Sequence, residues 1–440
     1  MAETQYRLSL APALEPFRSE VEYACEFLDL AYGLKRAPEA ARILHYGPNA
    51  PAGAVAVPAA LFPDCVRVGA DGLHPRGDAL AAAAGLNGRL RPSANGAVLA
   101  YDAIGLIFLL LSRLEERDHP ARDRYGRFPL SAALFPAEEG RLYPHADRAA
   151  RDLAASVTGN PNPPPRTRYA VKLTHDVDML KGYHRAWEPL RWAAGDALKR
   201  ARPGAGLARL GAAYFGGEPW RSSRRLMRLS ELRGIKSHFY FMGPSLDPMD
   251  SPYVVTMKPT LARLAREIRT RGHAIGFHPG FQTATDAGEW RRQRDGLEAV
   301  IGGEVREGRQ HVLRYDAAAT PRIWSEAGMV LDSTPAYPEA VGFRTGTCRP
   351  HRAYDLVARK ALPLMQLSTA AMEFGLFGGK YADLPLERAI ADTAWAADTC
   401  RDFGGTLVLL FHTGQQEKRL WQWLNAALDA AGATAGAKAA

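Results

Sequence analysis

Cysteine is scarce in this chain: Cys25, Cys65, Cys348 and Cys400 stand far apart in 440 residues, with no CxxC pair and no disulfide-like spacing. Such usage suits a reducing cytosol and excludes a small disulfide-stapled fold. Long hydrophobic runs are missing too. The longest, AIGLIFLLLS at 103–112, is about half the ~20 residues of a bilayer span, so it reads as a core helix. The opening MAETQYRLSL lacks the basic stretch and apolar core of a secretion signal, and the expectation is a cytoplasmic protein. A large excess of one charge is absent as well. The formal charge of +9 is modest for this length and leaves room for an anionic substrate or an acidic membrane surface. No recognition helix, zinc finger or basic run interleaved with aromatics occurs, so nucleic acid is not an expected partner.

What is present reads as an α/β protein of two domains, since 440 residues exceed what one core usually serves. The stretch VTGNPNPPPRTR, 157–168, holds four prolines and cannot continue a helix or a central strand. It is expected as a linker between an N-terminal α/β domain (1–156) and a C-terminal domain (169–430). Upstream, ARILHYG and AVAVPAALF read as strands and YDAIGLIFLLLSRLEER as a helix. Downstream, YAVKLTHD, GIKSHFYFM, HAIGFH, HVLRY, LPLMQLS and TLVLLFH read as strands, with helical text such as PTLARLAREIRTRG between them. Strands alternating with helices predict βαβ units and a parallel sheet or barrel. The tail AGATAGAKAA is low in complexity and reads as frayed.

The apolar run at 169–173 ends in two acids one residue apart, Asp176 and Asp178. Residues i and i+2 of a strand face the same way, so both carboxylates share a side with Thr174, while His175 and Val177 point oppositely. Two carboxylates held together repel unless a proton or a cation lies between them. A metal-bound acid beside a free general base is one arrangement that tolerates the pair. A capping Asp next to a salt-bridged Asp is the plainer alternative, and the spacing alone leaves both open. Further strand ends carry His278, in HAIGFH, and His412, in TLVLLFH; Arg314 lies near the end of HVLRY. Reactive groups gathered at the C-terminal ends of barrel strands are where (β/α) barrels carry their chemistry.

From about Tyr169 to His412 the chain resembles the NodB-homology polysaccharide deacetylases, metal-dependent hydrolases that remove acetyl groups from N-acetylated sugars. The likeness rests on THDVD, GIKSHFYF, GHAIGFHPGFQ, LRYDAAATPRIW and LFH, in the family's order. The resemblance implies a distorted (β/α)7-type barrel and a divalent metal, expected to be zinc. It implies Asp176 as general base, Asp178 and His278 as metal ligands, Arg314 as the cation that orients Asp176, and His412 as general acid. It puts Gln282 where the family has its second metal histidine. An amide oxygen is a poor zinc ligand, so three readings stay open: Gln282 or another group completes the site, the enzyme is a metal-independent amide hydrolase, or the chain is a non-catalytic carbohydrate-binding or assembly protein. The implied substrate is an N-acetylated sugar or a carrier-linked glycan.

Two other histidines read as structural: His175 faces away from Asp176, and His273 opens its strand. His311, three before Arg314, is near enough in sequence to approach the site, but alternation along HVLRY puts it on the opposite face from Arg314. The Gly- and Arg-rich GFRTGTCRPHRAYD reads either as a substrate loop or as a solvated connection. An insertion at about 181–225 is basic and aromatic, with Trp187, Trp192, Arg185, Arg191, Lys199, Arg200 and Arg202. It fits a lid over a glycan or anionic headgroup, a peripheral membrane patch, or a solvated helix anchored by its tryptophans. The N-terminal region resembles the domain that precedes this module in some bacterial polysaccharide-biosynthesis proteins, through YDAIGLIFLLLSRLEE and RYGRFP. Asp102, Glu115, Glu116 and Arg127 there read as a structural ion-pair set or as a cover for the barrel mouth.

Overall fold

The computed structural model describes residues 4–84, 99–135, 143–180, 187–198, 203–211, 220–377, 379, 381–415 and 417–433. The chain divides into two compact units. One comprises 1–170, 315–370 and 395–407; the other comprises 171–314, 371–394 and 408–440. The first cut falls just after the proline-rich stretch. The segments 315–370 and 395–407, read from sequence as part of the C-terminal domain, instead cluster with the N-terminal residues.

In the first unit, β1 (Gln5–Leu10), β2 (Lys35–Arg36), β3 (Ile43–Tyr46) and β4 (Val55–Val57) form a parallel sheet in the order β2-β1-β3-β4. Strands β5 (Val66–Gly69) and β6 (Gly72–Pro75) make an antiparallel ribbon. Helix Ala103–Ser112 is buried along its whole length, as expected of the apolar run. Its N-terminus is capped by the buried Asp102, which accepts from Gly105 N–H at 2.6 Å and from Tyr46, Ala60 and Leu61, each at 2.8 Å. The predicted helix stops at Arg113, whose φ of 55° breaks it. Arg113 and Arg344 then clamp Glu116, with Glu115 on Arg113. Arg127 pairs separately with Asp123, so the four residues grouped from sequence do not form one set.

The second unit begins with β7 (Ala170–Val177), β8 (Ser237–Met242), β9 (Ala274–His278) and β10 (Glu307–Gly308). Strands β11 (Leu331–Asp332), β12 (His351–Asp355) and β13 (Lys360–Gln366) lie within the first unit, where β13 runs parallel to β11 and antiparallel to β12. Most of GFRTGTCRPHRAYD is therefore buried scaffold, not a substrate loop: Arg344 clamps Glu116, Arg349 bonds Asp147 at 2.8 Å, and His351 opens a strand. Strand β14 (Ala371–Met372) and the greater part of β15 (Thr406–Leu410) belong to the second unit.

Its strands run β10-β9-β8-β7-β15-β14. The neighbours are parallel, and Phe411 N–H to Thr174 O (3.0 Å) carries the pairing between β7 and β15. This is the α/β pattern expected; closure into a seven-stranded barrel is not among these pairings. Helices cover the sheet with apolar faces. Lys258–Thr270 buries Leu261, Leu264, Ala265 and Ile268, the i, i+3, i+4, i+7 stripe of an amphipathic helix. Each of the larger ones contributes about 1.5–3 kcal/mol of burial. HVLRY is not a strand. His311–Leu313 is a short 3-10 turn in which Val312 and Leu313 have φ of 49° and 58°.

Candidate metal centre and active site

The site is built on alternate residues of β7. Lys172, Thr174 and Asp176 share one face, and Asp178 follows where the strand has just ended. Asp176 is almost fully buried. Arg309 Nη1 donates to its Oδ1 at 2.7 Å, and Arg309 Nη2 donates to Thr174 Oγ1 at 2.9 Å. Thr174 in turn donates to Leu409 O at 2.9 Å. The carboxylate is thus fixed by a buried guanidinium which is itself held by the next residue inward.

That cation is Arg309 and not Arg314. Arg314 instead donates to Phe281 O at 2.6 Å and lies over the Phe281 ring, 4.2 Å from its centroid. The extended backbone begins upstream of HVLRY. Backbone pairing with β9 runs through Arg309 N–H to Phe277 O (3.1 Å) and His311 N–H to Pro279 O (2.9 Å). The extended segment is therefore 307–311, and Arg309 and His311 are the alternate residues on its inward face. The left-handed turn at Val312–Leu313 then carries Arg314 away.

Asp178, His278 and His311 each offer a ligand atom, and these atoms lie within 4.8 Å of one another. His278 Nε2 is 3.4 Å from Asp178 Oδ1 and 3.8 Å from Asp176 Oδ2. Both imidazoles are oriented through their other nitrogen: His278 Nδ1 lies 2.6 Å from Arg309 O, and His311 Nδ1 lies 2.6 Å from Asp250 Oδ1. A ring that donates Nδ1–H to a carbonyl or carboxylate presents the lone pair of Nε2, the arrangement usual for metal-ligating histidines. Asp178 Oδ1 is buried and has no hydrogen-bond partner, an orphaned acceptor facing two rings. Two nitrogens and one carboxylate oxygen, with that acceptor unsatisfied, fit a divalent cation.

Gln282 lies on an exposed turn, where its Nε2 donates to Asp247 Oδ2 at 2.9 Å, while His311, at the start of the 3-10 turn, supplies the third donor of the cluster. Behind His311, Asp250 also accepts from Ser245 Oγ at 2.7 Å and from Phe281 N–H at 2.9 Å. A side chain at Gly280 would place its Cβ 2.2 Å from Asp250 Oδ2, so only glycine lets that carboxylate pass.

His412, just beyond β15, is held by Glu373. Its Nδ1 lies 2.8 Å from Glu373 Oε1, and its backbone N–H donates to the same oxygen at 2.8 Å. Its Nε2 is 3.9 Å from Asp178 Oδ2, and the half-exposed Phe374 ring packs against it at 4.6 Å. Burial works against a charged ring, yet Glu373, Asp178 and Asp176 push the His412 pKa up to about 9. Burial would raise Asp178, but His278, His412 and His311 pull it well below the usual carboxylate range. His278 is desolvated yet raised by Asp176 and Asp178.

His175 bonds Phe411 O and Ser237 Oγ, and burial drops its pKa to about 3, so it is a neutral structural residue. His273 accepts from Ser237 N–H, also away from the site. Sequence reasoning missed Arg309, His311 and Glu373. The alternation Glu307, Arg309, His311 carried the signal for the first two. Glu373 sits between a two-residue strand and a five-residue helix, where no periodicity marks it.

No family model matches the chain, and no curated protein matches it. Among solved structures it is similar to a protein from Mycobacterium smegmatis assigned as a polysaccharide deacetylase, at 19% identity and a TM-score of 0.39, covering 61% of this chain and 87% of that one. It is also similar to a family 4 carbohydrate esterase from Streptomyces lividans in complex with acetate, at 11% identity and a TM-score of 0.31, covering 60% and 88%. A third is the polysaccharide deacetylase Bc1974 from Bacillus cereus, at 12% identity and a TM-score of 0.30, covering 60% and 87%. These likenesses are distant, and the functional reading rests on the geometry of the site.

Proposed function

We propose that the chain is a metal-dependent hydrolase that removes an N-acetyl group from a glycan or glycan precursor. The observation that carries the reading is the triad Asp178, His278 and His311, with both rings oriented from behind and one carboxylate oxygen unsatisfied. The substrate class follows from the motif resemblance of residues 169–412.

In this reading Asp178, His278 and His311 hold the ion, and Gln282 does not. A bound divalent cation supplies Lewis-acid chemistry, polarising the acyl carbonyl and acidifying water. Asp176 takes the proton of the attacking water. Arg309 holds Asp176 aimed, acting as a positioning residue. His412, kept protonated beside Glu373, delivers a proton to the amine as the C–N bond breaks. The products are acetate and a free amino sugar.

The test is acetate release from N-acetylated oligosaccharides, read together with metal content. Asp178→Ala, His278→Ala and His311→Ala should each lose bound metal and turnover while keeping the helical circular-dichroism signal. Metal at the wild-type level in all three would place the ion elsewhere and end the proposal.

A further inference from the structure

The chain leaves the strand that bears Asp176 and enters a helical pair, Glu188–Leu198 and Pro203–Leu210. In the first of these helices the usual polarity is inverted. The buried positions are Pro189, Ala193 and Asp196, small or charged. The outward positions include Leu190 and Leu198, 55% and 85% exposed, with Trp187 just before the helix at 47%; their i, i+3, i+11 spacing keeps them on one side of a helix of 3.6 residues per turn. The second helix packs tightly on the first, since a Cβ at Gly206 would meet Ala193 O at 2.8 Å, and it exposes Leu207 by 71%. A soluble helix normally turns its leucines inward; this pair turns them out.

Charge decides what such a face suits. Between 181 and 211 the sequence carries seven Lys and Arg against two acids. Of these, Arg191 is exposed and lies over the Trp187 ring, 5.2 Å from its centroid. Lys181, Arg185, Lys199, Arg200 and Arg202 lie outside the described residues. An apolar stripe with a tryptophan among cations is the composition of helices that lie in the headgroup region of an anionic bilayer. A second copy of the same face would set like charges against each other. No helix among the described residues is long and apolar enough to cross a membrane, so contact would be peripheral.

We propose that the helical pair 188–198 and 203–210 is a lipid-surface anchor that docks this chain on anionic bilayers through Trp187, Leu190, Leu198 and Leu207. This stands apart from the hydrolase reading, because its readout is lipid binding and not turnover. The test is co-sedimentation of the 440-residue chain with phosphatidylcholine vesicles, with and without phosphatidylglycerol, at low and high salt. The wild type should bind the anionic vesicles and release as salt rises. Leu190→Glu with Leu198→Glu, both at exposed positions, should reduce partitioning by roughly tenfold or more with unchanged circular dichroism and metal content. Failure of the wild type to bind anionic vesicles would overturn the proposal, and so would equal binding by the double variant. If the wild type sediments as a dimer that the same two changes dissolve, the face belongs to a second copy and the lipid reading is wrong.

Discussion

The inward face of β7 carries charge at both ends, and the two ends are finished differently. At the N-terminal end Lys172 donates to Glu307 at 2.8 Å, and His238 Nδ1 lies against the same carboxylate. Burial would raise Glu307, yet His238 and Lys172 bring it to about 2; burial lowers Lys172 and His238. Each member of that cluster has its counter-group. At the C-terminal end Asp176 is satisfied by Arg309, but Asp178 keeps an orphaned oxygen and gathers three histidines around it. Facing strands supply opposite rungs: Lys172 to Glu307, Asp176 to Arg309, Asp178 to His311. The ladder is electrically closed at its foot and open at its head. A closed cluster holds a fold together; an open one asks for a ligand.

The largest effect expected at the open end is on chemistry. Asp176→Asn should lower kcat by about 10²–10⁴, the range for loss of a general base, while leaving bound metal in place. Turnover near wild type would remove Asp176 from its role.

Metal affinity should come next. Asp250→Asn loosens the group that orients His311 and should cost about 10–100-fold in affinity, with His311→Ala costing more. Gln282→His should give no gain, because that position points to Asp247. Calorimetric titration of the three proteins orders them, and a clear gain for Gln282→His would restore the expectation drawn from sequence.

The pH profile sharpens the comparison further. In the proposed mechanism His412 acts while protonated, so kcat should hold up to about pH 9 and fall above it. Glu373→Gln should draw that limb down toward the ordinary histidine value of about 6.5. The raised pKa also stabilises the fold. That contribution is full below about pH 6.5 and is lost as pH rises through 9. An alkaline limb that stays put in Glu373→Gln would refute the pairing.

The smallest effect belongs to the closed end. Glu307→Gln should cost about 1–3 kcal/mol in urea unfolding, less than a fully buried ion pair because these side chains keep some solvent contact, and should leave kcat and metal affinity unchanged. Glu307 is depressed from 4.5 to about 2, so its contribution is present above pH 4.5 and disappears as pH falls through 2. A catalytic defect in this variant would mean the two ends are coupled.

Much of the open end was legible. Asp176, Asp178, His278 and His412 each close an apolar run, and period-two alternation brings the two acids to one face. The third donor of the proposed triad is not legible, because the apolar text starts the extended segment at His311 while the structure starts it at Glu307. Arg309 and Arg314 lie five residues apart, so an alternation that turns Arg314 inward turns both Arg309 and His311 outward. Periodicity also had no purchase on Glu373, which lies on elements too short to repeat. The long-range assembly was hidden for a different reason. Residues 315–370 alternate strands and helices as the segments before them do, and nothing local says which core they join.

The turn at Val312 and Leu313 has a thermodynamic corollary. Two non-glycine residues there hold positive φ, one of them β-branched, a conformation that costs of order 1–3 kcal/mol each. The folded chain carries that cost whether or not anything sits beside His311. A cation that binds only the folded state adds stability by mass action, about 2.7 kcal/mol at a hundredfold excess over Kd. An ion held by the proposed triad would then be a folding cofactor as much as a chemical one, and chelation would be read first as a change in melting temperature.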